Sequence, residues 1–203
     1  MSGSGPTIVI FGCGGHSRSV ADIILLNDPD ARLLFVDGNA RPGEKILGFD
    51  LLKEPPEGDF PLFLALGDNA KRKEKYEEMG AENLISVISR TAHVGRGATV
   101  QRGCFVANFC HIGPEAAVGA NTIVNTAAVI EHEVRVGSHC HIGPNATISG
   151  RCVIGDLTFV GVGATIKDYV TVCPGVMIGA GATVVADITE PGTYVGTPAR
   201  RIR

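Results

Sequence analysis

The stretch that decides the fold is residues 95–184, written here in blocks of six: GRGATV-QRGCFV-ANFCHI-GPEAAV-GANTIV-NTAAVI-EHEVRV-GSHCHI-GPNATI-SGRCVI-GDLTFV-GVGATI-KDYVTV-CPGVMI-GAGATV. Every block ends in Val or Ile, and Val94 stands before the first block. The fourth position of each block holds only Ala, Cys, Thr or Val. A six-residue period with one aliphatic and one small inward position predicts a parallel β-helix of hexapeptide repeats.

Three blocks make one triangular coil, and neighbouring coils are spaced about 4.8 Å apart, like strands in a sheet. The β-branched side chains suit the short strands of such a coil. The first position of a block is often glycine, and we expect it to supply the positive φ that tight corners need. These glycines are Gly95, Gly113, Gly119, Gly137, Gly143, Gly155, Gly161 and Gly179.

Composition narrows the class of protein. The chain has 203 residues, a formal net charge of -3 and no Trp, and it contains no run of Lys and Arg longer than three residues, so we expect no nucleic-acid partner. Residues 1–5 lack a basic segment, and the apolar run 8–11 is too short for a signal peptide or membrane span. We therefore expect a cytoplasmic protein with no membrane partner.

The first 90 residues alternate between strand and helix patterns. We predict strands at 7–11, 33–36, 61–66 and 84–88, and helices at 17–26 and 70–79, the second ending at Gly80. A loop with Pro42, Pro55 and Pro56 separates the second and third strands. The pattern predicts a small, Rossmann-like parallel sheet at 1–90, followed by the β-helix at 91–186 and a capping segment at 187–203.

A glycine turn joins the first strand to the first helix, and it reads Gly-Cys-Gly-Gly-His-Ser from Gly12 to Ser17. Backbone N–H groups at such a helix N-terminus favour phosphate oxygens. Asp37 ends the second strand, where mononucleotide-binding folds place an acidic residue. Ser17 replaces the third glycine of the dinucleotide pattern, which disfavours NAD. The turn predicts phosphate or nucleotide binding; the alternative is a turn that needs glycine only for its backbone.

The segment Glu131-His132-Glu133 interrupts the repeat at a corner of the coil. An imidazole beside a carboxylate is a workable general base, because the carboxylate fixes the tautomer and strengthens the base. Either glutamate could be the partner, and the alternative interpretation is a solvated polar corner without catalytic function.

Four cysteines and two further histidines in the repeat are expected to have structural roles. Cys104, Cys110, Cys140 and Cys152 occupy the small inward position, and no C-x-x-C pair occurs, so packing is expected rather than a metal or redox role. His93 and His111 are 18 residues apart and should stack on neighbouring coils. Stacked histidines could bind a metal across a subunit interface, but surface histidines are the more common outcome.

Four features occur together and in order: the glycine turn with His16, the Gly67-Asp68-Asn69 turn, the Asn-Thr…Glu-His-Glu segment, and the ending Val-Gly-Thr-Pro-Ala-Arg. In this combination the chain resembles the NeuD/PglD family of sugar acyltransferases, which have a left-handed β-helix. The family includes N-acetyltransferases of bacterial nucleotide-linked amino sugars and sialic acid O-acetyltransferases. The resemblance covers nearly the whole chain.

The resemblance implies roles for particular residues. His132 resembles the general base and Glu133 its supporting carboxylate. Residues implied to contact acetyl-CoA are His141, Gly150 and Val162. Residues implied to bind the nucleotide sugar are Gly14, Gly15, His16, Asp37, Gly67 and Asn125. Gly38 stands where some members have a second acidic residue after Asp37, which leaves the nucleotide open.

The function implied is transfer of an acetyl group from acetyl-CoA, without a metal, to the amine of a nucleotide-linked sugar in bacterial polysaccharide biosynthesis. The family's cofactor groove lies between neighbouring prisms, which implies a homotrimer. Alternatives are O-acetylation of sialic acid or a related sugar, a metal-dependent prism like a carbonic anhydrase, and a non-catalytic scaffold that binds nucleotide sugars.

Overall fold

The computed structural model describes residues 5–202. Residues 1–4, on which part of the signal-peptide argument rests, and Arg203 of the capping segment lie outside the described residues. In the described part, the two helices have 13 and 11 residues, and neither has the length and apolar character needed to cross a bilayer.

The N-terminal unit is a five-stranded sheet with two helices. Its elements are β1 (Thr7–Phe11), α1 (Gly15–Asn27), β2 (Arg32–Val36), β3 (Lys45–Ile46), β4 (Phe49–Leu52), β5 (Leu62–Leu64) and α2 (Asn69–Met79). The strand order is β3-β4-β2-β1-β5, and only β3 runs antiparallel to its neighbour. The predicted parallel sheet is confirmed, with an added β3–β4 hairpin in the segment expected to be a loop. The strand expected at 84–88 is shorter, at Val87–Ile88, and belongs to the prism; only Leu84 bridges to this sheet, at Leu62.

The two helices begin differently, because only α2 has a side-chain cap. α1 begins at Gly15, two residues before the predicted start, and Ser17 lies inside it with Oγ donating to the Gly14 carbonyl at 2.6 Å. The Asp68 carboxylate caps α2 by accepting from the Lys71 N–H at 2.9 Å, and Gly80 ends that helix at a φ of 71°.

The rest of the chain winds into a triangular prism of two-residue strands. They are β6 (Val87–Ile88), β7 (His93–Val94), β8 (Thr99–Val100), β9 (Phe105–Val106), β10 (His111–Ile112), β11 (Ala117–Val118), β12 (Ile123–Val124), β13 (Val129–Ile130), β14 (Arg135–Val136), β15 (His141–Ile142), β16 (Thr147–Ile148), β17 (Val153–Ile154), β18 (Phe159–Val160), β19 (Thr165–Ile166), β20 (Thr171–Val172), β21 (Met177–Ile178) and β22 (Thr183–Val184), followed by β23 (Thr193–Val195) and β24 (Arg200–Arg201).

Three sheets form the faces of the prism. Face 1 is β7-β10-β13-β16-β19-β22, face 2 is β8-β11-β14-β17-β20, and face 3 is β6-β9-β12-β15-β18-β21-β23-β24. From β6 to β19 each strand pairs in parallel with the strand 18 residues further on, as Ile112 does with Ile130. The N-terminal unit packs on face 3, where Phe63 and His16 contact Phe105.

The repeating aliphatic residues form the core. Every one from Val106 to Val184 is at most 4% exposed, and so are the four inward cysteines, Cys104, Cys110, Cys140 and Cys152. All four thiols are free, and burial raises the pKa of Cys104 to about 11 and that of Cys140 to about 12. The prediction that these cysteines pack inward is confirmed.

The expected conformation of the first-position glycines is wrong. None of the eight has a positive φ; instead, a Cβ added at any of them would lie no more than 2.8 Å from a neighbouring atom. Glycine is needed there because the following stretch of chain approaches too closely for a side chain.

The left-handed conformation falls two residues later, at every sixth residue from Gly97 to Gly181. Ten of these residues are not glycine and have φ between 55° and 62°: Phe109, Glu115, Asn121, Ala127, Glu133, His139, Asn145, Arg151, Leu157 and Tyr169. The N–H of each residue in this set from Glu115 onward donates to a carbonyl of the preceding coil, as Glu133 does to Pro114 at 2.9 Å. The ladder holds these residues in a conformation that costs roughly 1–2 kcal/mol each.

The ladder extends past both expected boundaries of the β-helix. At one end β6 pairs with β9, and at the other β23 pairs with β21 and with β24, so the capping segment continues face 3. The predicted domain boundaries at residues 90 and 186 therefore stay a prediction.

Two substitutions in one corner test this account of the repeat. Glu115→Gly should raise the free energy of unfolding by about 0.5–1 kcal/mol, because glycine adopts positive φ without a steric penalty. Gly113→Ala should destabilise the protein, because the new Cβ would lie 2.6 Å from the backbone N of His132. Urea unfolding of both variants measures the two effects; the same sign of change in both would contradict the assignment.

Candidate active site

His132 lies at the corner between faces 1 and 2, in the turn that joins β13 to β14. Its side chain is 53% exposed, and its Nδ1 is 3.0 Å from Glu133 Oε2. The hydrogen bond lowers the pKa of the Glu133 carboxyl, with a smaller effect in the same direction from Arg151. An ionised carboxylate only accepts, so Nδ1 carries the proton and Nε2 of the neutral ring is available as a base. The structure thus brings Glu133, rather than Glu131, to the imidazole.

Gly150 lies directly beside this imidazole, one coil further along the chain. A Cβ added at Gly150 would lie 2.6 Å from Cε1 and 2.7 Å from Nε2 of His132. Gly150 has no positive φ, so the backbone does not demand glycine there. The missing side chain instead leaves room for the ring and for whatever approaches Nε2.

The glycine turn lies at the carboxyl end of the N-terminal sheet. Gly12 is required by the fold, since its φ is 106° and a Cβ would lie 2.9 Å from the Ala65 carbonyl oxygen. Gly14, Gly15 and Gly67 differ, because each has an ordinary φ and an added Cβ would meet no atom within 4 Å. These three glycines border open space at the strand ends β1 and β5, where the sheet order reverses and nucleotide sites form in such folds.

Asp37 lies in a crevice of about 340 Å³ at the same end of the sheet, together with Gly38, Lys53 and Lys75. Its Oδ1 accepts from the backbone N–H of Asn39 at 3.0 Å, and this bond lowers the pKa of the Asp37 carboxyl. Asp37 therefore stabilises its own loop and adds a negative charge to a crevice that also holds two lysines.

His16 faces the prism. Its ring meets Phe105 edge-on at a centroid distance of 4.9 Å, and its buried Nε2 has no hydrogen-bond partner among the described residues. Burial, followed by the proximity of His141 and then of Arg72, lowers the pKa of His16 to about 3. A neutral, inward-facing imidazole gives no charge to a phosphate, so the structure supports its expected binding role less well than that of Gly14 and Gly15.

His141 and Asn125 lie together near the edge of face 3. Asn125 Nδ2 is 3.2 Å from His141 Nε2, and Asn125 Oδ1 accepts from the Thr126 N–H, which fixes the orientation of the amide. Burial and then the charge of Arg72 lower the pKa of His141 to about 4, while the Gly67 backbone acts in the opposite direction. His141 is neutral at physiological pH, and it lies where the prism meets the N-terminal unit.

Arg72, which the sequence did not single out, connects the two parts. It is 1% exposed, and its guanidinium donates to the carbonyls of Leu66, Gly67, Asn121, His139 and Cys140 and to Asn69 Oδ1. Burial lowers its pKa to about 10, so it stays charged at neutral pH. Arg72 stands between Lys71 and Lys73 in a charged helix, a pattern typical of solvated side chains, and only the tertiary contacts reveal its function.

The expected site residues therefore form two groups. Gly14, Gly15, His16, Asp37, Gly67, Asn125 and His141 lie at or near the junction of the N-terminal unit with face 3, whereas His132, Glu133 and Gly150 lie at the corner opposite that face. Val162 is 52% exposed at a third position, the corner between faces 3 and 1. Within one chain, the structure does not bring the two groups together.

The stacked histidines are confirmed, with His93 and His111 rings 5.2 Å apart and nearly parallel. Among residues 5–202, no cluster of three or more His, Cys, Asp or Glu side chains is arranged to hold a metal ion.

Comparisons with known proteins agree with this architecture. A family model described as the PglD N-terminal domain matches residues 7–79. The acetyltransferase domain of PglB from Neisseria gonorrhoeae FA1090, in complex with acetyl coenzyme A, is 28% identical with a TM-score of 0.90, and the match covers 98% of this chain and 100% of that one. PerB from Caulobacter crescentus, in complex with CoA and GDP-perosamine, is 27% identical with a TM-score of 0.84, and the match covers 97% of each chain.

A curated relative, the UDP-3-O-acylglucosamine N-acyltransferase of Caulobacter sp. (strain K31), is 30% identical over 117 residues, or 58% of this chain. The first curated relatives are longer proteins, of which this chain spans 24% and 32%. The predicted fold, an α/β unit followed by a left-handed β-helix, is confirmed by the full-length structural matches. Residues 7–79 thus match the PglD N-terminal domain, and over nearly its whole length the chain is similar to acetyltransferases of the NeuD/PglD-like hexapeptide-repeat family.

Proposed function

We propose that this chain is an acetyl-CoA-dependent N-acetyltransferase whose acceptor is the amino group of a nucleotide-linked amino sugar. The observation that carries the proposal is the exposed imidazole of His132, hydrogen-bonded through Nδ1 to Glu133 and lying against Gly150. The complexes of the related PglB domain with acetyl coenzyme A and of PerB with CoA and GDP-perosamine support this choice of substrates.

The chemistry needs one group that accepts a proton. The sugar amine attacks the thioester carbonyl carbon, a C–N bond forms, and the tetrahedral intermediate breaks its C–S bond. His132 Nε2 takes the proton that the amine loses, and the sulfur leaves as coenzyme A and is protonated from the imidazolium or from water. Glu133 holds the ring with Nδ1 protonated and stabilises the charge that develops on it.

The acceptor end of the site would be the open space beside Gly14, Gly15 and Gly67 at the carboxyl end of the N-terminal sheet. Gly14, Gly15 and Gly67 leave open space beside backbone N–H groups at the start of α1 and α2, which suits the diphosphate of a nucleotide sugar. Asp37, Lys53 and Lys75 line the neighbouring crevice, where the nucleoside would lie.

We further propose that the complete site forms between copies of the chain in a homotrimer. The N-terminal unit, which carries Gly14, Gly15 and Gly67, packs on face 3, and His132 lies at the opposite corner, so one chain cannot present both to a single sugar. Closed cyclic assembly would give three equal sites, each with His132 from one copy and the crevice from its neighbour. The implied cofactor residues Gly150 and Val162 lie on different corners and would also meet only across such an interface.

A panel assay tests the activity. Purified protein, acetyl-CoA and a series of UDP- and GDP-linked amino sugars should release free thiol with at least one acceptor. Turnover with free sialic acid and none with any amine would instead indicate O-acetylation. Tight nucleotide-sugar binding without thiol release would favour the scaffold alternative.

His132 is the most direct mutational test. His132→Ala and His132→Asn should each lower kcat by about 10²–10⁴, because neither side chain accepts a proton at neutral pH. Acetyl-CoA affinity should change little, and Glu133→Ala should cost less than His132→Ala. His93→Ala is the control, since this exposed histidine lies on face 1 away from the corner. Near-normal kcat in His132→Ala with both substrates saturating would make His132 the wrong base.

Gly14 tests the acceptor crevice. Gly14→Val should raise the KM of the nucleotide sugar far more than that of acetyl-CoA, because the side chain would occupy the space beside the phosphates. An added Cβ meets no protein atom within 4 Å, so Gly14→Ala should fold normally and show the same selectivity to a smaller degree. An equal rise in both KM values would place the turn outside the sugar site.

Subunit mixing tests the shared site. His132→Ala and Gly14→Val chains are co-expressed in equal amounts and assayed at a sugar concentration at which each variant alone is nearly inactive. The mixture should recover about one quarter of wild-type activity, because a quarter of the interfaces pair two intact halves. Light scattering should show a trimer. A fully active monomer, or no recovery in verified mixed trimers, would contradict the proposal.

A further inference from the structure

One carboxylate oxygen at the His132 corner has two hydrogen-bond donors. Glu133 Oε2 lies 3.0 Å from His132 Nδ1 and 2.9 Å from Arg151 Nε. The imidazole and the guanidinium therefore compete for the same atom, and the negative charge that faces the base is shared with a permanent cation.

The repeat holds Arg151 in this place. Arg151 follows Glu133 by one coil, has the same left-handed backbone, and donates its N–H to the His132 carbonyl at 3.1 Å. Its Nη1 donates to the Tyr169 hydroxyl at 2.7 Å, and its guanidinium carbon lies 5.6 Å from the Tyr169 ring centroid. The side chain is thus fixed from both sides, although it is half exposed.

We propose that Arg151 is a positioning residue for the base, which orients the Glu133 carboxylate and limits how strongly that carboxylate stabilises protonated His132. This inference rests on the proposed function. A carboxylate that already pairs with a guanidinium attracts a second cation less strongly. Without the guanidinium, the full negative charge of Glu133 would face the ring and would favour its protonated form.

Other charges near the ring are weaker candidates for this function. Glu131 lies on the same turn, Glu115 on the preceding coil and Arg135 on the next strand. The hydrogen bonds that the imidazole and the Arg151 guanidinium make at this corner both go to Glu133. The hydrogen bond to Glu133 and then the one to Tyr169 raise the pKa of Arg151, in agreement with a charged guanidinium in this network.

The test is the pH dependence of kcat/KM for the wild type, Arg151→Met and Arg151→Lys, with Arg135→Gln as the control. Arg151→Met should move the acid limb to higher pH by about 0.5–1 unit, a shift smaller than buried pairs show because this pair is exposed. On the acid side this corresponds to a loss of about 3- to 10-fold, with the rate recovering at alkaline pH. Arg151→Lys should restore most of the shift, and Arg135→Gln should leave the limb in place.

A lower rate at every pH with an unmoved limb would mean that Arg151 is only structural and would overturn the proposal. An equal shift in Arg135→Gln would also overturn it, because general surface charge would then explain the effect. Titration of the His132 ring by NMR, in the full chain without substrates, gives the same comparison independently of turnover. If no acceptor is turned over, an upward shift of the His132 titration in Arg151→Met still supports the contact, and the absence of any shift contradicts it.

Discussion

The guanidinium of Arg72 ties the N-terminal unit to the prism, and the group of candidate site residues at this junction depends on where it lies. Six oxygen atoms from both parts of the chain accept from it within 3.4 Å, and none belongs to a carboxylate. A buried charge is costly unless its donors are satisfied, so these oxygens must hold their positions for the fold to tolerate it. Since the Leu66 and Gly67 carbonyls are among them, the edge of the glycine crevice is fixed relative to His141. The same charge helps to lower the pKa of two histidines: it comes after burial at His141, and after burial and His141 at His16.

The architecture could be predicted from the sequence because the β-helix repeats one simple demand. Each coil needs an aliphatic side chain at the same three points, and Val or Ile at every sixth residue from Val94 to Val184 directly indicates this arrangement. The reason for glycine was harder to predict. At Gly113, the close approach of the next coil leaves no room for a Cβ. The positive φ falls instead on residues such as Glu115, whose sequence gives no local signal for it. The sequence of one coil cannot distinguish the close approach from the positive φ, since both result from the stacking of neighbouring coils.

The site could be predicted where its residues are neighbours in sequence, as His132 and Glu133 are. Gly150 and Arg151 follow them by 18 residues, so the coil length, once known, would have pointed to both. Arg72 is different, because its prism partners lie 49 to 68 residues away and no period relates them. His16 shows the opposite limit: the motif suggested a ligand contact, and only the packing against Phe105 revealed that the ring faces inward.

Rigidity explains why the proposed reaction needs more than one copy of the chain. The crevice is fixed to face 3 through Arg72, and His132 is fixed to the opposite corner by hydrogen bonds that run through every coil. A hinge between the two parts would have to break the Arg72 contacts and expose a buried cation, and even then the prism would stand between the sugar and the base. Assembly avoids this cost, because a neighbouring prism can bring its own corner to the crevice without deforming either chain. The repeat that makes the prism stiff therefore favours a site that is completed between subunits.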